Sequence, residues 1–297
     1  MPMIDFSCKK DILLEDEDGL LTPMSEPYFR NWLIAPGTWR VLSDGDYSYL
    51  LEGDGEALLI DTGYGAGNIR EYCQSLTERP LRCVANTHDH FDHTANNSYF
   101  ELAYLSAATE PLATRPFPSF EGVAFPKIKR VHIVTDGDVI PLKGRELPVF
   151  EIPDHAAGSL AFLDKKTRIL FSGDEFMAHG KQLNGSVEHW LRMLEKLAPY
   201  RDQFDCMYSG GGRLDAALFD RQLACVRYIL EGHEGEPASP QRFPDFERMD
   251  EQGRRVWKRR LPHPGDGPKD LNADIEYKRT MRYGGASVTY DIRRVHD

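Results

Sequence analysis

The sequence predicts an α+β fold in which sheets pack face to face and helices lie outside them. Strand-like stretches follow one another in series, and amphipathic helical patterns come after them. The order of these elements suggests two similar halves, each mostly strands followed by helices, although no repeat by residue identity is visible. A simple alternation of strand, helix and strand is therefore excluded.

The first half is predicted from three strand-like stretches, a helix and a buried strand. The strands are expected over residues 39–42, 47–51 and 57–60, the helix over 68–76 and the buried strand over 81–86. Turns at 43–46 and 53–55 join the first three strands, because both contain the Asp and Gly residues that turns favour. The prolines that punctuate residues 1–36 predict an irregular segment there.

The second half continues with further strands and ends in a charged extension. Strands are expected at 103–106, 130–134, 138–142, 147–152, 160–163, 168–171, 204–208 and 286–292. Amphipathic helices are expected over 187–197 and 215–231, because large apolar residues recur there at helical spacing. We therefore expect a main domain over residues 1–232 and a C-terminal extension over 233–297 that serves as a lid or an oligomer contact.

Composition limits the classes of function. The 297 residues carry a formal net charge of −11, which argues against general binding to nucleic acid or to an anionic membrane. The five cysteines are scattered without a CxxC pair, so reduced thiols are expected instead of a disulfide framework. No apolar run resembles a secretory leader or reaches the length of a membrane span. We expect a soluble, cytoplasmic protein that acts on a small molecule, as a monomer or a homo-oligomer.

Residues 87–93 concentrate metal-binding chemistry. Three of the ten histidines, His88, His90 and His93, lie here together with Asp92. Imidazole nitrogen and carboxylate oxygen are the donors that a divalent cation such as zinc selects. Because side chains alternate between the two faces of a strand, His88 and His90 can point one way and His93 another, which would serve two adjacent ions. The alternative is a histidine-rich polar turn at the surface.

Three further acidic or histidine residues lie next to glycine at the ends of predicted strands. They are Asp61 in Ile-Asp-Thr-Gly, His155 in Pro-Asp-His-Ala-Ala-Gly-Ser and Asp174 in Phe-Ser-Gly-Asp. Alone, each is typical of a turn or cap. In order, the Asp-Thr-Gly, His-x-His-x-Asp-His, His-Ala-Ala-Gly-Ser and Ser-Gly-Asp motifs resemble those of the metallo-β-lactamase superfamily, over about residues 38–232.

The resemblance implies a four-layer αββα sandwich whose catalytic domain is residues 1–232. It assigns the first metal ion to His88, His90 and His155, the second to Asp92 and His93, and the bridge between them to Asp174. Asp61 is implied as the residue outside the ligand set that orients the cluster. Zinc is the expected ion, one or two per chain, with Mn²⁺ and Fe²⁺ as alternatives.

The sequence departs from the family pattern at the fifth motif. Residues 209–212 read Ser-Gly-Gly-Gly, and Gly211 stands where the family supplies a histidine to the second ion. The second ion could bind through the remaining ligands and water, another histidine such as His179 or His233 could substitute, or the site could be weak or empty. Asp154 replaces a glycine of the family and is expected at the surface, with an extra acid beside His155 as the alternative.

The implied activity is hydrolysis of a small ester, lactone or thioester by a hydroxide that the metal holds. Asp92 would position or shuttle the proton, so Asp92 and Asp61 are the catalytic candidates. A mononuclear-iron oxidoreductase similar to persulfide dioxygenases, a phosphodiesterase and a non-catalytic binding module are the alternatives. No residue is assigned to substrate binding, and the basic run at 254–260 is expected to be a solvated face or subunit contact, with a cap over the cleft as the alternative.

Overall fold

The chain folds into two compact units. The structure is a computed structural model that describes residues 3–267 and 269–297. The described residues of Met1–Ile133, Leu142–Gly144 and Arg242–Leu271 form unit 1. Val134–Pro141, Arg145–Gln241 and Asn272–Asp297 form unit 2. The C-terminal part of the chain is therefore divided between both units.

The described part of the chain consists mainly of short strands and contains only four α-helices. The strands are β1 (Ile12–Glu15), β2 (Leu21–Pro23), β3 (Phe29–Ala35), β4 (Thr38–Ser43), β5 (Asp46–Glu52), β6 (Ala57–Ile60), β7 (Leu81–Ala85), β8 (Leu102–Leu105), β9 (Val131–Ile133), β10 (Val139–Leu142), β11 (Arg145–Glu151), β12 (Leu160–Asp164), β13 (Ile169–Phe171), β14 (Lys181–Gln182), β15 (Cys206–Ser209), β16 (Gly212–Asp215), β17 (Glu236–Pro237), β18 (Glu247–Met249), β19 (Arg255–Lys258), β20 (Lys278–Tyr283) and β21 (Ala286–Asp291). The helices are α1 (Ile69–Gln74), α2 (Phe91–Thr94), α3 (Val187–Leu197) and α4 (Ala217–Leu230).

A seven-stranded sheet dominates unit 1, in the order β3-β4-β5-β6-β7-β8-β9. The strands from β3 to β6 pair antiparallel, and those from β6 to β9 pair parallel. The predicted strands of the first half are confirmed, and α1 begins after Asn68, whose side chain accepts a hydrogen bond from the backbone N–H of Glu71. Because β6 and β7 are parallel, the segments that follow them, which carry Asp61 and His88, leave the same edge of the sheet.

The first 36 residues differ from the prediction. They contain β1, β2 and β3, and β1 pairs in parallel with β19, so that Leu14 lies opposite Trp257. The strands β1 and β19, together with β2 and β18, form a four-stranded sheet of unit 1. Short strands interrupted by prolines give no clear periodicity, and the partner of β1 lies far along the chain, so local patterning could not reveal the pairing.

Unit 2 contains two sheets and two helices. The six-stranded sheet has the order β10-β11-β12-β13-β15-β16, and the four-stranded sheet has the order β14-β21-β20-β17. The predicted helices α3 and α4 are confirmed and share one core with these strands, in which Trp190, Leu194 and Phe219 are buried. The Ser186 side chain caps α3 by accepting a hydrogen bond from the backbone N–H of His189, at 2.9 Å.

The segment beyond residue 232 contributes strands to sheets of both units. β18 and β19 lie in unit 1, whereas β17, β20 and β21 lie in unit 2. Its action as a lid or an oligomer contact stays a prediction. No helix in the described ranges has both the length and the apolar character that crossing a bilayer requires.

Candidate metal centre

Unit 1 presents a cluster of histidine and aspartate side chains that we call the His88 half-site: His88, His90, Asp92 and His93. It occupies the loop after β7 and the short helix α2, whose N-cap is His90. His88 and His93 are buried, and the centre of the His88 ring lies 4.6 Å from that of His90 and 4.1 Å from that of His93. The predicted cluster of imidazoles is therefore present within unit 1.

A hydrogen-bond chain that ends on Asp61 orients two of these rings. Asp61 follows β6 with φ of 57° and is buried. Its Oδ2 accepts hydrogen bonds from Thr87 Oγ1 at 2.7 Å and from His93 Nδ1 at 2.9 Å, and its Oδ1 accepts one from the Thr87 backbone N–H at 2.8 Å. His88 Nδ1 lies 3.0 Å from Thr87 Oγ1. Since the single hydroxyl proton of Thr87 goes to Asp61, the His88 Nδ1 must donate its proton to Thr87.

These hydrogen bonds fix one tautomer of each ring. With a proton on Nδ1, a neutral imidazole keeps the lone pair that binds a metal on Nε2. This holds for both His88 and His93. The backbone of the cluster is held as well, because the His93 carbonyl oxygen accepts hydrogen bonds from the backbone N–H of Thr62 and from Asn86 Nδ2, both at 2.9 Å.

Carboxylates lie beside the His93 ring. Asp92 Oδ2 is 3.9 Å from His93 Nε2, a separation that two ligands of one ion can have. Asp92 Oδ1 is buried and has no hydrogen-bond partner among the described residues. Asp46, which the sequence analysis placed in a turn, joins them, since one ligand atom from each of Asp46, Asp92 and His93 lies within 4.8 Å of the others.

Negative charge collects on this side of unit 1. Burial raises the pKa of the Tyr64 hydroxyl well above its ordinary value, and the nearby charges of Asp44, Asp46 and Asp92 raise it further. The tyrosine therefore stays protonated. A field that disfavours a phenolate is the field that attracts a cation.

Unit 2 carries the second group, the His155 half-site, which consists of His155 and Asp174. His155 lies in the loop between β11 and β12, and Asp174 lies in the single 3₁₀ turn after β13. His155 Nε2 is 3.9 Å from Asp174 Oδ2, and both side chains are partly exposed. Two motifs that the sequence separates by almost twenty residues therefore place their ligand atoms side by side within one unit.

A buried ionic triad supports the His155 half-site. Lys181 Nζ lies 2.8 Å from Asp154 Oδ2 and 2.5 Å from Glu175 Oε2, and all three residues are buried. Glu175 Oε1 accepts hydrogen bonds from the backbone N–H groups of Asp154 and His155, at 3.0 and 2.7 Å. Lys181 also lies over the Trp190 ring, 4.1 Å from its centroid. The carboxylate that follows Asp174 thus holds the loop that carries His155.

Asp154 is a correction to the sequence analysis. It was expected at the surface, but it is 8% exposed and ion-paired to Lys181. Its Oδ1 also accepts a hydrogen bond from the backbone N–H of Gly185 at 2.8 Å, so it stabilises its own loop. Glu175 and Lys181 were missed altogether. Neither has a sequence pattern of its own, although a glutamate directly after Asp174 could have been noticed.

The fifth motif forms a tight hairpin in unit 2. β15 ends at Ser209, which pairs with Gly212 at the start of β16, so Gly211 lies in the two-residue turn between them. Neither proposed substitute histidine belongs to a cluster of ligand atoms in the described part of the chain. His233 is exposed and stacks on Tyr228, with ring centroids 3.7 Å apart, and His179 is also exposed.

A cavity of about 330 Å³ opens beside the His155 half-site within unit 2. Its lining includes His155 and Asp174 together with Met177, His179 and Thr289 of the C-terminal strand β21. The sequence alone indicates no substrate-binding residue. This cavity is where unit 2 offers space for a small molecule next to predicted ligands.

The family comparison agrees with the motifs. Residues 44–206, more than half of the chain, match the family model described as the Metallo-beta-lactamase superfamily. Among curated proteins, the acyl-coenzyme A thioesterase MBLAC2 of Homo sapiens is 32% identical over 218 residues, which cover 62% of this chain and 71% of that protein. The atrochrysone carboxyl ACP thioesterase of Aspergillus fumigatus is 27% identical over 178 residues, covering 56% and 53%.

Solved structures confirm the predicted fold. A metallo-beta-lactamase from Pontibacter korlensis superposes with a TM-score of 0.54 at 17% identity, covering 67% of this chain and 99% of that one. The metallo-beta-lactamase of Cronobacter sakazakii with the HARLDQ motif gives 0.52 at 19% identity, covering 70% and 95%. At these identities the likeness establishes the fold alone, so the assignment of individual site residues stays a prediction.

Proposed function

Because the chain belongs to the metallo-beta-lactamase superfamily and is a hydrolase with thioesterase relatives, we propose that it cleaves a small acyl thioester at a divalent-metal centre. The observation that carries the metal centre is the chain His88–Thr87–Asp61–His93, which leaves Nε2 of both histidines as a metal donor. The thioester is supported by the sequence likeness to the two thioesterases.

The residues present fit a divalent ion. Neutral imidazole nitrogens with carboxylate oxygens are the donor set that zinc favours. Asp92 Oδ1, buried without a hydrogen-bond partner in the described ranges, is the kind of atom whose desolvation a cation would offset. The donor set, the hydrogen-bonded tautomers and the buried carboxylate oxygen all support a metal site.

We assign the ligands as the family pattern has them. His88, His90 and His155 would hold the first ion, Asp92 and His93 would hold the second, and Asp174 would be a ligand of both. Support comes from the family match, which spans residues of both units, and from the ligand-like spacing inside each half-site. The chemistry that such ions supply is Lewis-acid polarisation of a carbonyl oxygen and a lowered pKa for a nearby water.

Three side chains of the protein, those of Asp61, Thr87 and Asp92, then have separate roles in the reaction. Asp61 and Thr87 keep a proton on Nδ1 of each ring, so that each imidazole keeps the orientation in which Nε2 is the donor. Asp92 accepts the proton of the attacking water and returns it to the sulfur. Water oxygen bonds to the acyl carbon, the carbon–sulfur bond breaks, and the products are a carboxylic acid and a thiol.

We further propose zinc as the ion, two ions per chain, and a cytoplasmic location. Zinc is supported by the mixed nitrogen and oxygen donors. Two ions are supported by the group of Asp46, Asp92 and His93, whose ligand atoms lie within 4.8 Å of one another, next to the His88 ring. The location is supported by the cysteines, which are all free thiols.

The proposal is tested by assaying acyl-coenzyme A thioesters and the matched oxygen esters with protein stripped of metal and then reloaded with zinc. The released thiol is separated by chromatography, because the free cysteines of the protein would react with thiol dyes. We expect cleavage of the thioester only by the reloaded protein. His90→Ala should lose more activity than the roughly 10- to 100-fold that the loss of an outer partner of a metal ligand costs.

The matched control is His132→Ala, since His132 is an exposed histidine of β9 in the same unit whose ring lies beside Tyr104. It should retain full activity. Cleavage of the oxygen ester but not the thioester would reject the substrate assignment. One bound iron with oxygen uptake would reject hydrolysis in favour of the oxidoreductase alternative.

A further inference from the structure

Asp46 is the ligand-like residue that the family pattern does not account for. It begins β5, directly after the two-residue turn of Asp44 and Gly45. Its carboxylate lies in one cluster with Asp92 and His93, with ligand atoms within 4.8 Å of one another. All three residues belong to unit 1, so this cluster is complete within a single unit.

The turn before Asp46 is fixed on both sides. Asp44, at φ of 62°, accepts a hydrogen bond on Oδ1 from Arg259 at 2.8 Å, and both side chains are buried. On the other side, a Cβ added at Gly45 would lie only 2.0 Å from the Tyr64 hydroxyl, so no side chain fits between the turn and this tyrosine. The position of Asp46 is therefore determined by buried contacts and not by the solvent.

The Asp61 motif approaches the same turn closely. A Cβ added at Gly63 would lie 2.6 Å from Ser43 Cβ, and one added at Gly65 would lie 3.0 Å from Ser43 Oγ. Gly63 also has φ of 59°, a conformation that glycine adopts without strain. These two glycines allow the turn at residues 43–46 to reach the loop that carries Asp61.

The chemistry explains why a carboxylate is needed there. With Gly211 in the fifth motif, the sequence lacks the histidine that the family pattern supplies to the second ion. A four-coordinate zinc site in proteins takes nitrogen, sulfur or carboxylate oxygen donors, and Asp46 is the carboxylate already placed beside Asp92 and His93. We propose that Asp46 is a ligand of the second metal ion and takes the place of the missing histidine. This inference rests on the proposed metal-dependent function.

The test is a metal titration of the purified protein. Calorimetry measures the affinity, and elemental analysis after gel filtration counts the bound ions. Cobalt(II), which reports ligand number through its visible spectrum, serves as a second probe beside zinc. We expect two equivalents in the wild type. Asp46→Ala and Asp46→Asn should retain the first equivalent and bind the second at least about tenfold more weakly, since even the loss of an outer-shell partner costs roughly 10- to 100-fold.

Asp54→Ala is the matched control, because Asp54 is an exposed aspartate in the turn at the other end of β5. It should bind both equivalents with wild-type affinity. The Asn variant keeps the shape of the side chain, and circular dichroism verifies that both variants are folded. Unchanged binding of the second equivalent in folded Asp46→Asn overturns the inference while leaving the proposed function intact, whereas a wild type that binds no metal overturns both.

Discussion

The two half-sites are built in opposite ways. In the His88 half-site, the rings are oriented by a chain of hydrogen bonds through Thr87 to a single carboxylate, Asp61. In the His155 half-site, a buried lysine lies between two buried carboxylates, and one of these holds the loop by its backbone N–H groups. The first device sets the tautomer of a ring, whereas the second sets the position of a loop.

The difference follows from what each segment has to achieve. His88 and His93 follow a parallel strand inside the seven-stranded sheet, so their backbone is already placed and only the rings need orientation. His155 lies in an eight-residue loop between β11 and β12, which has no strand pairing to hold it. Buried charges provide that support, at the risk that losing one partner leaves the others uncompensated.

The greatest loss of stability is expected from breaking the buried ionic triad of Lys181, Asp154 and Glu175. Lys181→Met leaves Asp154 and Glu175 buried and unpaired with their lysine, so the free energy of unfolding should fall by about 3 to 5 kcal/mol. Urea or guanidinium denaturation measures this change. The affinity for metal should fall as well, because the backbone of His155 is held by Glu175.

The control is Lys165→Met, which removes a lysine from an exposed pair with Glu146 at 3.0 Å. An exposed ion pair contributes about 0 to 1 kcal/mol, so this variant should be nearly as stable as the wild type. If both methionine variants lost equal stability, the triad would not be the support of the loop, and the contrast between the two half-sites would disappear.

A smaller effect is expected for the hydrogen-bond device. Asp61→Asn replaces the acceptor of the His93 Nδ1 proton and the Thr87 hydroxyl proton with an amide, so metal affinity should fall by about 10- to 100-fold. The unfolding free energy should change less than in Lys181→Met. A metal titration measures the first quantity and denaturation measures the second. A loss of stability larger than the loss of metal binding would show that Asp61 serves the fold more than the rings.

Much of the fold was predictable because its central strands are apolar runs that end in glycine-rich turns. The strands β4 to β7 and the helices α3 and α4 lie close to where periodicity predicted them. The N-terminal strands were not predictable, since β1 pairs with β19 across almost the whole chain. Pairing between distant short strands depends on the tertiary structure, which local patterning does not record.

The two half-sites also differ in how much of each could be predicted from the sequence. His88, His90 and His93 are neighbours in the sequence, so their cluster was visible as a motif. Asp46 and Lys181 were not, because a single acid in a turn or a single lysine in a polar stretch is ordinary until folding gives it a partner. Asp154 was misplaced for the same reason, since its burial depends on Lys181, which lies in the separate strand β14.

The smallest change in metal affinity is expected from a variant that adds a ligand instead of removing one. Gly211→His restores the residue that the family pattern has in the fifth motif, and it should strengthen binding of the second ion by a few-fold up to about tenfold in the Asp46→Ala background. The position has room, because a Cβ there would make only ordinary contacts, 3.5 Å from Met177 and Ser209. The neighbouring Gly212→His is the control, since its φ of 118° disfavours any side chain and the variant should lose stability without gaining metal affinity. Cobalt titration with denaturation of each variant measures both. A Gly211→His variant that folds well but binds the second ion no better would show that the histidine of the fifth motif has no counterpart position in this protein.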